Sequence, residues 1–369
     1  PVPVSNNDAR PADPDTMRDG AVGAPPQHYG NPLAEQRELA AGGAIVDLSD
    51  RDVLSVTGAD RLSWLDSLTS QRLNGIAPGV AAETLLLDPS GRVEYAARVL
   101  DDGETTWLLM DAGTGEGFLA FLTKMRFMLR VEVADRSAEF ATIGTLGEPR
   151  LSAAAPNGVP LVWHDPWRSV VSGGHQYSLA TEHPSAAWTY SEFLVERSGL
   201  VVAVPEAVPE ALEGLEGLEG HVAGTLALEA LRIAAWRPRL ATEADERTIP
   251  HELDWLRSAV HLTKGCYRGQ ETIAKVHNLG HPPRRLVMLH LDGSDGVLPA
   301  HGDPVFAGES KVGQVTSAAL HYELGPIALA VVKRSTDPDA DLAVHAADVV
   351  IAAAQEVIVP PSAGAEADV

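Results

Sequence analysis

Apolar residues recur at helical spacing in residues 61–68, where Leu62, Leu65 and Leu68 share a face behind the turn Gly58-Ala59-Asp60, with Asp60 placed as N-cap. A shorter helix over residues 35–41 stops at Gly42-Gly43, and the runs 44–48 and 53–57 alternate as strands. Residues 84–87 and 93–100 read as strands joined by the turn Asp88-Pro89-Ser90-Gly91, and Asp101-Asp102-Gly103 leads into a third strand over 106–110. A helix follows over 115–127. Strands joined by hairpins and interspersed with helices predict an α+β fold rather than a doubly wound parallel sheet.

Residues 136–205 are mixed, with short strands and many breakers. Leu-Glu-Gly occurs three times in residues 212–220, too short a repeat for a solenoid, and reads as an insertion or loose connection. A helix over 222–236, with Leu226, Ala230 and Ile233 on one face, ends before Pro238, and another spans 269–277. From residue 284 the pattern is β, with runs at 285–291, 303–306, 312–319, 327–332 and 349–359, which predicts a small C-terminal antiparallel barrel. The expected organisation is a disordered tail (1–30), an N-terminal α+β unit (31–135), a second α+β unit (136–283), the barrel (284–359) and a loose tail (360–369).

Hydrophobic residues make up 45% of the 369, enough for a sizeable core. The 51 acidic residues outnumber the 28 basic ones, and a net charge of −23 argues against stable nucleic-acid binding. A single cysteine forms no intramolecular disulfide, so a reducing, cytoplasmic setting is expected. The absence of a long apolar run predicts no membrane span, and the first residues lack the apolar region of a secretory signal.

The candidate chemistry centres on that cysteine, within Lys264-Gly265-Cys266-Tyr267-Arg268-Gly269-Gln270-Glu271. Lys264, Arg268 and the start of the following helix all favour a thiolate at Cys266, the form that acts as nucleophile or metal ligand. The alternative is a structural cysteine in a glycine-rich turn. Gly265 and Gly269 let the backbone approach a ligand closely, while Gln270 and Glu271 either cap the helix or face a pocket. Arg232, Arg237 and Arg239 form a basic cluster that either binds a ligand carboxylate or pairs with nearby acids such as Glu243, Asp245 and Glu246. His261, Cys266, His277 and His281 match no common zinc framework, so no stable metal site is expected.

Three segments carry a family resemblance. The octet 264–271 resembles the signature of the YgfZ family of folate-binding proteins. Val56-Thr57-Gly58-Ala59-Asp60 and Leu87-Asp88-Pro89-Ser90-Gly91-Arg92-Val93 resemble that family's N-terminal region. Val312-Gly313-Gln314-Val315-Thr316-Ser317 and Pro326-Ile327-Ala328-Leu329-Ala330 resemble the C-terminal barrel shared with glycine cleavage T-proteins. The resemblance implies a three-lobed α+β fold around a central channel that holds tetrahydrofolate. It also implies an accessory role in assembling or repairing iron–sulfur clusters of other proteins, tRNA-modifying enzymes among those served. Cys266 and Lys264 would be the reactive groups, with Arg232, Gly265, Tyr267, Gly269, Gln270 and Glu271 around the cofactor. Two departures stand out. Aminomethyltransferase relatives carry aspartates after the hairpin turn, where this chain has Tyr95 and Ala96. An acidic residue often follows the Arg-Ile pair, where this chain has Ala234, with Glu229 one helical turn back. The competing readings are a folate-dependent aminomethyl transferase and a pocket that has switched to flavin or haem.

Overall fold

The computed structural model describes residues 24–147, 152–199 and 222–367. The Leu-Glu-Gly repeat lies outside the described residues. The chain opens with α1 (Pro32–Ala40) and β1 (Ile45–Asp47), followed by β2 (Asp52–Thr57), α2 (Arg61–Leu68) and the hairpin strands β3 (Ala82–Leu87), β4 (Val93–Asp101) and β5 (Thr105–Met110). Next come α3 (Gly115–Met125), β6 (Glu132–Asp135), β7 (Phe140–Leu146), β8 (Val162–His164) and β9 (Tyr190–Glu196). Then follow β10 (Val222–Ala223), α4 (Thr225–Ala234), the single turn α5 (Leu240–Glu243) and α6 (Gln270–Leu279). The last six strands are β11 (Arg284–Leu291), β12 (Pro304–Ala307), β13 (Ser310–His321), β14 (Gly325–Lys333), β15 (Leu342–Ala346) and β16 (Val349–Val357).

These strands make two five-stranded sheets and a closed barrel, the α+β architecture with a C-terminal antiparallel barrel that the hydrophobic pattern predicts. The first sheet has the order β3-β4-β5-β2-β6, so the predicted hairpins form its core. The second has the order β10-β1-β7-β9-β8. Here α1 and β1, grouped by the sequence with the N-terminal unit, join the second sheet: Ile45 pairs with Thr145 on one side and Val222 on the other. The barrel runs β11-β14-β13-β12-β15-β16, and its interior is lined by Val287, Leu289, Val305, Val315, Ala330 and Val344 among others. A larger core joins both sheets to α4 and to one barrel face through Trp236, Trp255, Leu286 and Met288.

Several local expectations are corrected. Asp60 is the N-cap residue of α2, as expected, but makes no side-chain cap bond. Its carboxylate instead takes Arg130, at 2.7 Å from Nη2 and 3.1 Å from Nε. Leu226 is exposed, and the buried face of α4 is Ala227, Leu228, Ala230, Leu231 and Ile233. The expected N-terminal tail is docked from residue 26: the carbonyls of Pro26 and Gln27 accept the first amides of α4, from Thr225 (3.1 Å) and Leu226 (3.0 Å). The C-terminal segment is likewise tied down, with Ala363 buried and the Glu366 amide donating to the His277 carbonyl at 2.9 Å. Both segments satisfy helix-end groups that would otherwise lack partners, which composition does not reveal.

Candidate functional site

The octet packs against the β3–β4 turn. Gly269 is the N-cap of α6 with a left-handed φ of 83°, and a Cβ there would stand 2.6 Å from the Asp88 carbonyl oxygen. The turn needs Gly91 as well, at φ +79°, where a Cβ would meet the Thr272 side chain at 2.8 Å. Glycines on both faces therefore allow helix and hairpin to touch. Gly265 has no neighbour within 4 Å of its Cβ position, so nothing in the fold requires glycine there. Cys266 is exposed. Arg268 pairs with Glu94 at 2.6 Å and lies over the Phe121 ring. Gln270 donates to the Lys264 carbonyl at 3.3 Å, and Glu271 is exposed. Tyr267 is buried, and its hydroxyl makes no hydrogen bond among the described residues.

Lys264 points inward, away from the thiol's solvent side. Its ammonium donates to the carbonyls of Asp66, Thr69 (2.7 Å) and Gln71 (2.8 Å) around the end of α2. Burial pushes its pKa down to about 8, partly countered by Asp66. The lysine thus clasps the end of α2, where carbonyls lack helical partners.

Arg232 has all five guanidinium hydrogens engaged. Nε and Nη2 bond the two oxygens of Glu229 (3.1 and 2.5 Å), and Nη2 also reaches Ser317 Oγ (2.7 Å). Nη1 bonds Glu243 (2.8 Å) and the Arg237 carbonyl (2.6 Å). Arg237 pairs with Glu83 (2.7 Å) and Asp165 (2.9 Å), not with the sequence-adjacent acids. Burial opposes the charge on Glu229, yet Arg232 and Arg239 hold its carboxyl down at about 2.

These residues face a central hollow between the two sheets and α4, with a free volume of about 50 Å³, room for a few waters. Arg51, Arg98 and Asp111 complete its polar wall, with Ala96 at the position the sequence comparison marked. Arg98 bonds Asp111 at 2.9 Å and Glu192 at 3.1 Å, and Arg51 also takes Glu192. Burial opposes ionisation of Asp111, but Arg98 and Arg51 keep its carboxyl well below the usual range. Among the described residues, Arg239 Nε and Trp255 Nε1 at the hollow find no hydrogen-bond partner. The sequence reading missed Arg51, Arg98, Asp111 and Glu192. The available signal was a charged residue inside an otherwise apolar strand, as in β4 and β9.

Leu240 lines this hollow and also a larger cleft of about 940 Å³ over the outer end of the first sheet. Tyr95, Phe121 and Met125 give the cleft its apolar surface, and Arg92, Lys124 and Arg268 its cations. Tyr95 turns its ring toward Phe118, with centroids 5.3 Å apart, so neither Tyr95 nor Ala96 offers a carboxylate. Cys266 lines neither the hollow nor the cleft. Among the described residues no group of three or more His, Cys, Asp or Glu could hold a metal ion, and no helix is long and apolar enough to cross a membrane.

Residues 284–360, the barrel, match the glycine cleavage T-protein C-terminal barrel domain. The chain superposes on the crystal structure of the glycine cleavage system aminomethyltransferase T from Bartonella henselae with a TM-score of 0.66, covering 93% of this chain and 94% of that one at 17% identity. This is the T-protein fold. An aminomethyltransferase from Rippkaea orientalis is 27% identical over 311 residues, 82% of this chain and 81% of that protein. A chloroplastic protein of Arabidopsis thaliana, provisionally named a transferase, is 24% identical over 298 residues, and the match spans 78% of this chain and 65% of that protein's length.

Proposed function

We propose that this chain binds a tetrahydrofolate and serves as an accessory protein in the assembly or repair of iron–sulfur clusters, the role carried by the YgfZ-like octet. The observation that carries this reading over transfer chemistry is Ala96. It lines the central hollow where the aminomethyltransferase relatives are expected to hold a carboxylate. The acids that do line the hollow are paired with arginines: Glu83 and Asp165 with Arg237, Asp111 with Arg98, Glu229 with Arg232. A general acid or base works best with a pKa near the working pH, and the arginines beside Asp111 and Glu229 hold those two carboxyls below the usual range.

The residues suit a folate in chemistry and in volume. A cleft of about 940 Å³ accommodates a ligand of folate size, whereas the central hollow as it stands does not. Phe121 and Tyr95 offer apolar surface to flat rings, and Arg92 and Lys124 offer charge to carboxylates. Arg239 and Trp255, through their unpartnered donors, are placed to bond acceptor atoms reaching inward past Leu240. Bound there, the folate supplies a carrier for one-carbon units. Cys266, exposed two residues from the cleft-lining Arg268, presents its thiol to a client protein.

The test is titration of tetrahydrofolate against wild type and Cys266→Ala, beside a complementation assay of a cluster-dependent enzyme. The expected result is equal folate affinity in both proteins, with complementation lost in the variant. Absence of folate binding to wild type overturns the reading. The second reading, aminomethyl transfer, is favoured by the similarity over 82% of the chain to an aminomethyltransferase, and turnover of an aminomethyl donor by purified protein would establish it.

A further inference from the structure

β11 opens with two adjacent arginines in opposite settings. Arg284 faces away from the barrel interior, where Asp245 and Glu252 take its guanidinium at 2.6 and 2.8 Å. Arg285 shares its face of the strand with Val287, Leu289 and Leu291, all part of the barrel interior, and is 0% exposed. Its Nη2 donates to the Thr336 carbonyl (2.9 Å) and to Gln355 Oε1 (3.0 Å). Gln355 is fixed in that orientation, because its own Nε2 donates to the carbonyls of Asp337 (2.8 Å) and Ala340 (3.3 Å). The N–H groups on Arg285 Nε and Nη1 find no partner among the described residues, and neither does the buried Thr336 hydroxyl.

Charge separates Arg285 from the other buried arginines. Arg51 lies against Glu192, Arg232 against Glu229 and Glu243, and Arg237 against Glu83 and Asp165. Arg257, whose Nε is also unpartnered, has Asp254 as its nearby acid. No carboxylate acts on Arg285 among the described residues, and burial alone pushes its pKa down. A buried lysine can shed its proton, but a guanidinium in a protein cannot. Water would satisfy the hydrogen bonds without balancing the charge, and an unbalanced buried charge is costly.

We infer that the end of the barrel beneath the β14–β15 loop is a binding site for a small inorganic anion of the halide class, held by Arg285 and the Thr336 hydroxyl as the missing counter-charge. The site offers N–H and O–H donors and no carboxylate, which selects an anion over a metal cation. The surrounding interior is apolar and buried, which favours a monatomic ion over a larger, strongly hydrated oxoanion. The ion fastens three parts of the barrel end together: Arg285 on β11, Gln355 on β16 through Arg285, and Thr336 in the loop. It is a structural ion, and the site owes nothing to the folate reading.

The test unfolds and refolds the full chain in sodium gluconate to remove retained halide. Urea midpoints are then measured as chloride replaces gluconate at constant ionic strength. For wild type the folded-to-unfolded ratio is expected to rise about tenfold once chloride reaches about ten times its dissociation constant. Arg285→Met keeps a long side chain and removes the charge. It should be indifferent to the exchange and no less stable than wild type in gluconate. Thr336→Val removes one donor and keeps the guanidinium, so it should need more chloride for the same gain, and it carries the test if the methionine variant does not fold. Crystals grown in bromide give an independent readout, with an anomalous peak expected beside Arg285 Nη1 and Thr336 Oγ1. Absence of that peak overturns the inference. So does equal stability of wild type in the two salts, or a chloride gain that survives in Arg285→Met.

Discussion

Gly269 and Gly91 meet backbone to backbone: a Cβ added to Gly269 would stand 3.0 Å from the Gly91 Cα. This contact fastens the octet bearing Cys266 to the hairpin turn of the first sheet. It joins two of the three segments that carry the family resemblance, though the two glycines are 178 positions apart in the chain (269 − 91).

Gly269→Ala should therefore destabilise the fold by roughly 2–4 kcal/mol, through a strained positive φ and collision with the Asp88 carbonyl. Gly265→Ala should change stability by less than about 0.5 kcal/mol, because its Cβ meets open space. Urea denaturation of the pair checks both. Equal effects would refute the contact.

Lys264→Met should lower stability by roughly 2–4 kcal/mol by leaving three carbonyls at the end of α2 without their donor. Hydrogen exchange should show the loss first in the amides of residues 66–71. Uniform protection in the variant would argue against the clasp.

Arg232→Met should destabilise by roughly 3–5 kcal/mol, since Glu243 is then a buried charge without its cation. Adding Glu243→Gln should recover a measurable part of the loss. Chemical denaturation of both variants tests this, and no recovery would place the effect in packing instead of charge.

Asp254 gives a pH test. It is fully buried, with Oδ1 accepting the Tyr177 amide at 2.6 Å and Oδ2 unpartnered. Burial raises its carboxyl to about 7. The folded state thus holds a proton that the unfolded chain releases near pH 4, so this group's stabilising contribution falls as pH rises from about 4 to 7. Nearby His251 has the opposite slope: burial lowers it to about 3, so its contribution falls as pH drops through the interval from 6.5 to 3. In Asp254→Asn the first term disappears. The variant's stability relative to wild type should rise between pH 5 and pH 7.5, by on the order of 2 kcal/mol. Urea midpoints at three pH values measure it, and a difference constant with pH would show that Asp254 does not titrate there.

The hairpins of the first sheet, α2 and most barrel strands were legible because their signals are local: a period of 2 or 3.6 and a glycine turn at a fixed offset. β15 escaped notice because Leu342–Ala346 is short and lies among turn residues. The octet stood out through its own composition. The partners of its charges did not. Lys264 bonds the Gln71 carbonyl 193 positions away, Arg237 bonds Glu83 at 154 and Arg51 bonds Glu192 at 141. Sequence spacing suggested Glu243, Asp245 and Glu246 for the arginine cluster. The fold gave Glu243 to Arg232, assigned Arg237 to Glu83 of β3 and to Asp165 just after β8, and set Arg239 3.5 Å from Glu229. Amino-acid order thus determined which segments become helix or strand, since that depends on neighbours along the chain. Only tertiary packing decided which charges are buried together and which hollows they line, because those energies depend on distances that sequence separation does not encode.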